Sequence, residues 1–166
     1  MIVFDASTLI LLAKMDLLDV FVSNFRGGIS IPELIRDEVC IQGREETPLL
    51  TRLIEDKKIH VSKVKANKAV RKIMNDFHID AGEAEAIILA LHEKASLVAT
   101  DDRNAIRACK VLKLDFTTAV AILIRAFEKN LIDKAEALIK IQKLESVARY
   151  NRAIIEEARK LIEGGE

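Results

Sequence analysis

The sequence has no tryptophan and a single tyrosine, Tyr150. With six phenylalanines the aromatic share is still only 4%, which argues against an aromatic platform for stacking bases. Two cysteines, Cys40 and Cys109, make neither a disulfide framework nor a cysteine zinc site. His60, His78 and His92 are scattered, so no His/Cys cluster has metal-ligand spacing. Both cysteines sit in apolar helical patterns and read as buried free thiols. No apolar run reaches the length of a membrane span. The opening residues do not read as a signal peptide, because Asp5 interrupts them and no basic segment comes first. A reducing cytoplasm is the expected location. Net charge is missing too: 26 Lys and Arg balance 26 Asp and Glu. That balance argues against binding driven by bulk positive charge, but it permits a local acidic pocket in a neutral shell.

What is present suits one domain. The 166 residues are half hydrophobic, with no repeat, low-complexity tract or long linker. Short apolar runs at Met1–Phe4, Ile29–Ile31, Leu97–Thr100 and Leu114–Phe116 read as strands, and Ile59–Val64 alternates as an edge strand does. Helical patterns separate them: Leu9–Ala13, Met15–Val22, Pro32–Ile41, Pro48–Asp56, Asn67–Asp76, Asp80–Lys94 and Asn104–Leu112. From Thr118 the chain reads as helix almost to its end, with breaks near Ile132-Asp133 and Glu145-Ser146. Leu138, Ile141, Leu144 and Val147 recur at helical spacing, so the tail is expected to pack on the domain or on a second copy. Alternating strands and helices predict a mostly parallel sheet covered on both faces. Such sheets bind ligands beyond the carboxyl ends of their strands.

That rule gives the acids positional meaning. Asp5 follows the first strand, and Asp101 and Asp102 follow the Leu97–Thr100 strand. Each aspartate also suits the start of a helix, where its carboxylate caps free N–H groups. Two adjacent carboxylates repel unless a cation or base neutralises them, and Arg103 is the plain candidate beside a metal ion. Glu38 falls in the last turn of its helix, where negative charge opposes the dipole. Its plainer reading is a surface glutamate near Arg36. Glu83 lies three residues after Asp80, the spacing of a capping box. Glu83 and Glu85 point about 200° apart on a helix, so spacing does not choose between them as site residues. Together the acids suggest a cup of carboxylates above one sheet edge. All-oxygen ligands select Mg²⁺ or Mn²⁺ over zinc or copper.

Four segments in order resemble the PIN-domain nucleases: Ile2–Thr8, Ile31–Val39, Asp80–Ile87 and Val98–Arg103. The Gly-Glu-x-Glu-Ala-Ile form of the third resembles a prokaryotic branch of predicted nucleic-acid-binding PIN proteins. VapC-like toxins of toxin–antitoxin pairs belong to the same superfamily. The resemblance spans about Met1 to Leu131. It implies an α/β, PIN-like (flavodoxin-like) three-layer sandwich over residues 1–131, with residues 132–166 as a helical C-terminal extension on the same domain. It implies a Mg²⁺- or Mn²⁺-dependent ribonuclease acting on single-stranded RNA, with Asp5, Glu38, Glu83 or Glu85, and Asp102 as the catalytic acids. Many relatives carry aspartate where this chain has Glu83 and Glu85. Asp5, Glu38, Asp101 and Asp102 would hold the metal, Ser7 and Thr100 would orient carboxylates or water, and Glu85 is a candidate proton acceptor. The resemblance also implies a homodimer and an antitoxin partner.

Basic residues must guide the RNA backbone past the cup. Candidates are Arg103, Arg107 and Lys14, with Arg44, Lys65, Lys68, Arg71 and Lys72 behind them, although single charges are more often solvated surface. A competing expectation is a catalytically weak PIN module that acts by binding a protein or RNA. Two other acid-at-strand-end folds fit poorly. Asp5-Ala6-Ser7 lacks the second aspartate of haloacid-dehalogenase-like phosphatases. A phosphoacceptor receiver would need an early acidic doublet, and the doublet here is late.

Overall fold

A computed structural model describes residues 1–65 and 67–165. Glu166, the end of the expected extension, lies outside the described residues. The strands are β1 (Ile2–Phe4), β2 (Ile29–Pro32), β3 (His60–Ser62), β4 (Leu97–Ala99) and β5 (Phe116–Thr117). The helices are α1 (Ala6–Lys14), α2 (Leu18–Asn24), α3 (Glu33–Val39), α4 (Thr47–Glu55), α5 (Asn67–Phe77), α6 (Ala81–His92), α7 (Arg103–Val111), α8 (Ala119–Glu128), α9 (Lys134–Val147) and α10 (Arg152–Glu163).

The sheet order is β3-β2-β1-β4-β5, and every pairing is parallel. β1 is central, aligning Ile2 with Ile29 on one side and with Leu97 on the other. Its residues alternate between faces, as a strand requires. Ile2 and Phe4 enter a core built with α1, α2, α3, α8, α9 and α10, while Val3 enters the opposite core with α5, α6 and α7. The order reverses at β1, since β2 follows on one side and β4 on the other. A crevice at the carboxyl ends of β1 and β4 is the geometric consequence.

α9 and α10 share the core of α1 and α8 through Ala137, Ile141, Leu144, Ile155, Ala158 and Ile162. Lys140 Nζ donates to the carbonyls of Met15 (3.3 Å) and Asp16 (3.1 Å), and Lys143 pairs with the Asp16 carboxylate. α9 runs through Glu145 and Ser146, where a break was expected. Ser146 Oγ donates to the Lys143 carbonyl at 2.7 Å, so its hydroxyl is satisfied without interrupting the helix. The chain breaks instead between Val147 and Arg152. β5 also starts later than the apolar run Leu114–Phe116. Lys113 turns the chain at φ 57°, and Leu114 N–H still donates to the Cys109 carbonyl at the end of α7.

Candidate functional site

Asp5 lies where β1 becomes α1, and its side chain is 2% exposed. One oxygen, Oδ1, accepts from Thr8 N–H at 3.0 Å and from Ser7 Oγ at 2.9 Å. The other, Oδ2, accepts from Thr100 Oγ1, which reaches over from the end of β4. Burial pushes the Asp5 carboxyl up, and the hydrogen bonds from Thr100, Thr8 and Ser7 oppose that shift. Ser7 and Thr100, expected to orient carboxylates, both donate to this one. Asp102 follows β4 and caps α7, accepting from Ala105 N–H at 2.8 Å, while its own N–H donates to Thr100 Oγ1 at 3.3 Å.

The start of α6 supplies the next acids. Asp80 and Glu83 form the expected capping box: Glu83 N–H donates to Asp80 Oδ1 at 2.8 Å, and Asp80 N–H to Glu83 Oε2 at 3.0 Å. Glu83 is pushed up to about 7, mainly by burial, with the charges of Asp80, Asp102 and Asp5 adding to the shift. Glu85 is also raised, by burial and then by Glu33, so it belongs to a different neighbourhood. The choice that spacing left open is thus separated by place: Glu83 faces the strand-end acids, and Glu85 faces Glu33. Glu38 is raised by partial desolvation, then by Asp80 and Asp5, while Arg44 pulls it down. Arg44 also donates to the Glu38 carbonyl at 3.5 Å. α3 meets α6 at Gly82, beside Glu38 and Asp80.

Asp5, Glu38, Asp80, Glu83 and Asp102 therefore share one electrostatic field beyond the ends of β1 and β4. A family model for the PIN domain matches residues 1–164. The chain belongs to the PIN-domain family. No curated protein and no solved structure matched the chain. PIN domains are generally nucleases, and the match takes in α9 and α10 as well as the sheet.

Two features of this PIN domain escaped the sequence. Asp80 read only as a cap, yet its charge bears on both Glu38 and Glu83. Asp101 read as an adjacent metal contributor, yet its carboxylate is taken up elsewhere. It accepts from Thr8 Oγ1 at 2.6 Å, from Ala119 N–H at 3.1 Å, and from the Tyr150 hydroxyl. Burial pushes Asp101 up to about 6, and the bonds from Thr8 and Ala119 oppose this. Its neighbour Asp102 is the one whose charge reaches Glu83.

The cations divide as well. Arg103 is exposed at the first turn of α7, next to Asp102. Arg107 is exposed one turn on, donates to the Phe77 carbonyl at 3.3 Å and stands 6.0 Å over its ring. Lys14 ends α1, far along the helix from Asp5, and pairs with Glu46 at 3.9 Å.

Among the described residues, no three His, Cys, Asp or Glu side chains converge closely enough to hold an ion directly. The donor chemistry still suits a hard cation. Mg²⁺ keeps several waters and is commonly bound through one or two carboxylates. Crowded carboxylates that raise one another are also relieved by positive charge.

Proposed function

We propose that this PIN domain is a Mg²⁺- or Mn²⁺-dependent endoribonuclease. The observation that carries the proposal is the placement of Glu83, in the first turn of α6, with Asp5 and Asp102 beyond the ends of β1 and β4 at the topological switch of the sheet. Asp5, Glu38 and Asp102 are the residues that would hold the ion, in part through water. When bound, such an ion acidifies water and offsets charge on a phosphoryl group. Asp5 is locked by Ser7, Thr8 and Thr100, so its carboxylate needs no reorganisation during reaction. Glu83 accepts the proton of the attacking water, a role suited to a carboxyl with a pKa of about 7. This replaces the expected acceptor Glu85, which faces Glu33. Arg44 and Arg103 flank the acids and would hold the backbone of a single RNA strand.

A second reading is a PIN module that binds RNA or protein with little catalysis. The absence, among the described residues, of three directly converging ligands favours it. A toxin role with an antitoxin partner rests on the resemblance to VapC-like toxins. A homodimer is supported by Ile139, Ile154 and Leu161, which are exposed on α9 and α10. No described helix is long and apolar enough to cross a membrane. The free thiols of Cys40 and Cys109 agree with a reducing cytoplasm.

The test is incubation of the pure protein with assorted RNAs and Mn²⁺ or Mg²⁺. Asp5→Asn and EDTA are the controls. Metal-dependent cleavage lost in Asp5→Asn is the expected result. Cleavage that survives both controls overturns the metal-nuclease proposal, and no cleavage at all favours the binding module.

A further inference from the structure

Tyr150 is the one tyrosine of the chain, and it lies in the turn between α9 and α10. Its hydroxyl donates to Asp101 Oδ1, 49 residues earlier in sequence. Asp101 Oδ2 in turn receives the Thr8 hydroxyl at 2.6 Å, and the Ala119 N–H at the start of α8 reaches the same carboxylate. Thr8 N–H is one of the three donors that lock Asp5. A continuous chain of hydrogen bonds thus runs from the C-terminal helices, through Asp101 and Thr8, to the innermost acid of the site. The Tyr150 ring packs against the core that α9 and α10 share with α1.

We infer that Tyr150 is a positioning residue of the acidic site, fixing Asp101 and through it the Thr8 turn that holds Asp5. The inference deepens the nuclease proposal and rests on it for the activity it affects. Asp101 is a carboxylate on the inner side of α1 and α8, and its last donor comes from the extension. Without the phenol, one lone pair of a half-buried carboxylate loses its partner, and the group is free to turn toward water. The α9–α10 turn then does more than cover a hydrophobic face. It completes the support beneath Asp5.

The sequence supplies its own probe. With no tryptophan and one tyrosine, near-ultraviolet emission reports on Tyr150 alone. A phenol hydrogen-bonded to a carboxylate is quenched, so Asp101→Asn should brighten it. Addition of Mg²⁺ to the native protein should shift the emission saturably, and Asp5→Asn should abolish that response. Tyr150→Phe keeps the ring and removes the donor. Its RNA turnover should fall about tenfold with KM for RNA unchanged, the loss of one hydrogen bond to a charged group. Exposed Arg149, next in the chain, supplies the control, and Arg149→Ala should cleave at the native rate. Circular dichroism is the check that each variant is folded. Native turnover in Tyr150→Phe overturns the inference, and so does emission indifferent to both Asp101→Asn and Mg²⁺. If the native protein cleaves no RNA, the Mg²⁺ response decides alone. A response then supports the coupling while the nuclease proposal fails, and no response ends both.

Discussion

Gly82 leaves no room for a side chain beside Ile35: an added Cβ would stand 2.9 Å from Ile35 Cδ1 and 3.4 Å from Glu38 Oε2. Ile35 is fully buried, so it has little freedom to give way. The close approach of α6 to α3 is what brings Glu38 to Asp80 and Asp5.

Gly82→Ala should therefore damage the site more than the fold. Overpacking costs about 1–3 kcal/mol, and the better helix propensity of alanine returns about 1 kcal/mol. A net loss near 1 kcal/mol lowers Tm by about 2–4 °C at this size. RNA cleavage should fall by about tenfold or more, since displacement of about 1 Å in a catalytic group is costly. Thermal unfolding and cleavage on the same preparation check both, and native activity would show that the approach of α3 to α6 is unimportant.

Glu83→Gln separates charge from capping. The Gln carbonyl can still accept from Asp80 N–H, so the capping box survives. In the native protein Glu83 titrates near 7, against 4.5 when unfolded. Between those values the unfolded chain binds fewer protons, so native stability falls as pH rises from about 4.5 to about 7. The variant lacks that loss. Urea unfolding in EDTA should find it about 1 kcal/mol more stable at pH 8, after allowance for the solvent exposure of the group, and little changed at pH 4.5. Its cleavage activity should be lost. Equal stability at both pH values would mean that neither burial nor the neighbouring acids raise Glu83.

Mg²⁺ should stabilise the native protein by relieving the same repulsion. At ten times Kd the gain is about 1.4 kcal/mol, seen as a rise in Tm. Asp5→Asn should show none of it. An equal rise in both proteins would place the ion elsewhere.

The two thiols should differ sharply. Cys109 is fully buried, and burial with the charge of Asp5 pushes its thiol up to about 11. Cys40 is half-buried. A thiol reagent at pH 8 should label Cys40 alone in the native state and both residues in denaturant. Because the unfolded Cys109 thiol ionises near 9, its contribution to stability falls as pH rises from about 9 to about 11. Rapid native labelling of both residues would contradict the burial.

Much of the fold was legible because its causes are local. Asp5, Asp80 and Asp102 each accept an N–H three residues on, and that spacing is written in the chain. The short apolar runs marked the strands, but Ile2, Val3 and Phe4 are all apolar, so which core each one enters appears only in the fold. β5 and the interior of α9 were misjudged by a few residues, because a turn at Lys113 and a back-bonded Ser146 do not follow from composition.

A parallel α/β sheet with acids at the ends of β1 and β4 could be read from the chain alone, since short apolar runs and helix caps depend on residues two to four apart. Which acids meet depends on contacts between distant segments. Thr100 reaches Asp5 across 95 residues, Gly82 draws Glu38 to Asp80, and Tyr150 claims Asp101 from the far end of the chain. Glu83 and Glu85 are alike in type and sit in one helix, and only the packing of that helix against α3 and the strand ends separates them. Carboxylates interact through space, and distances in space are set by how helices cross.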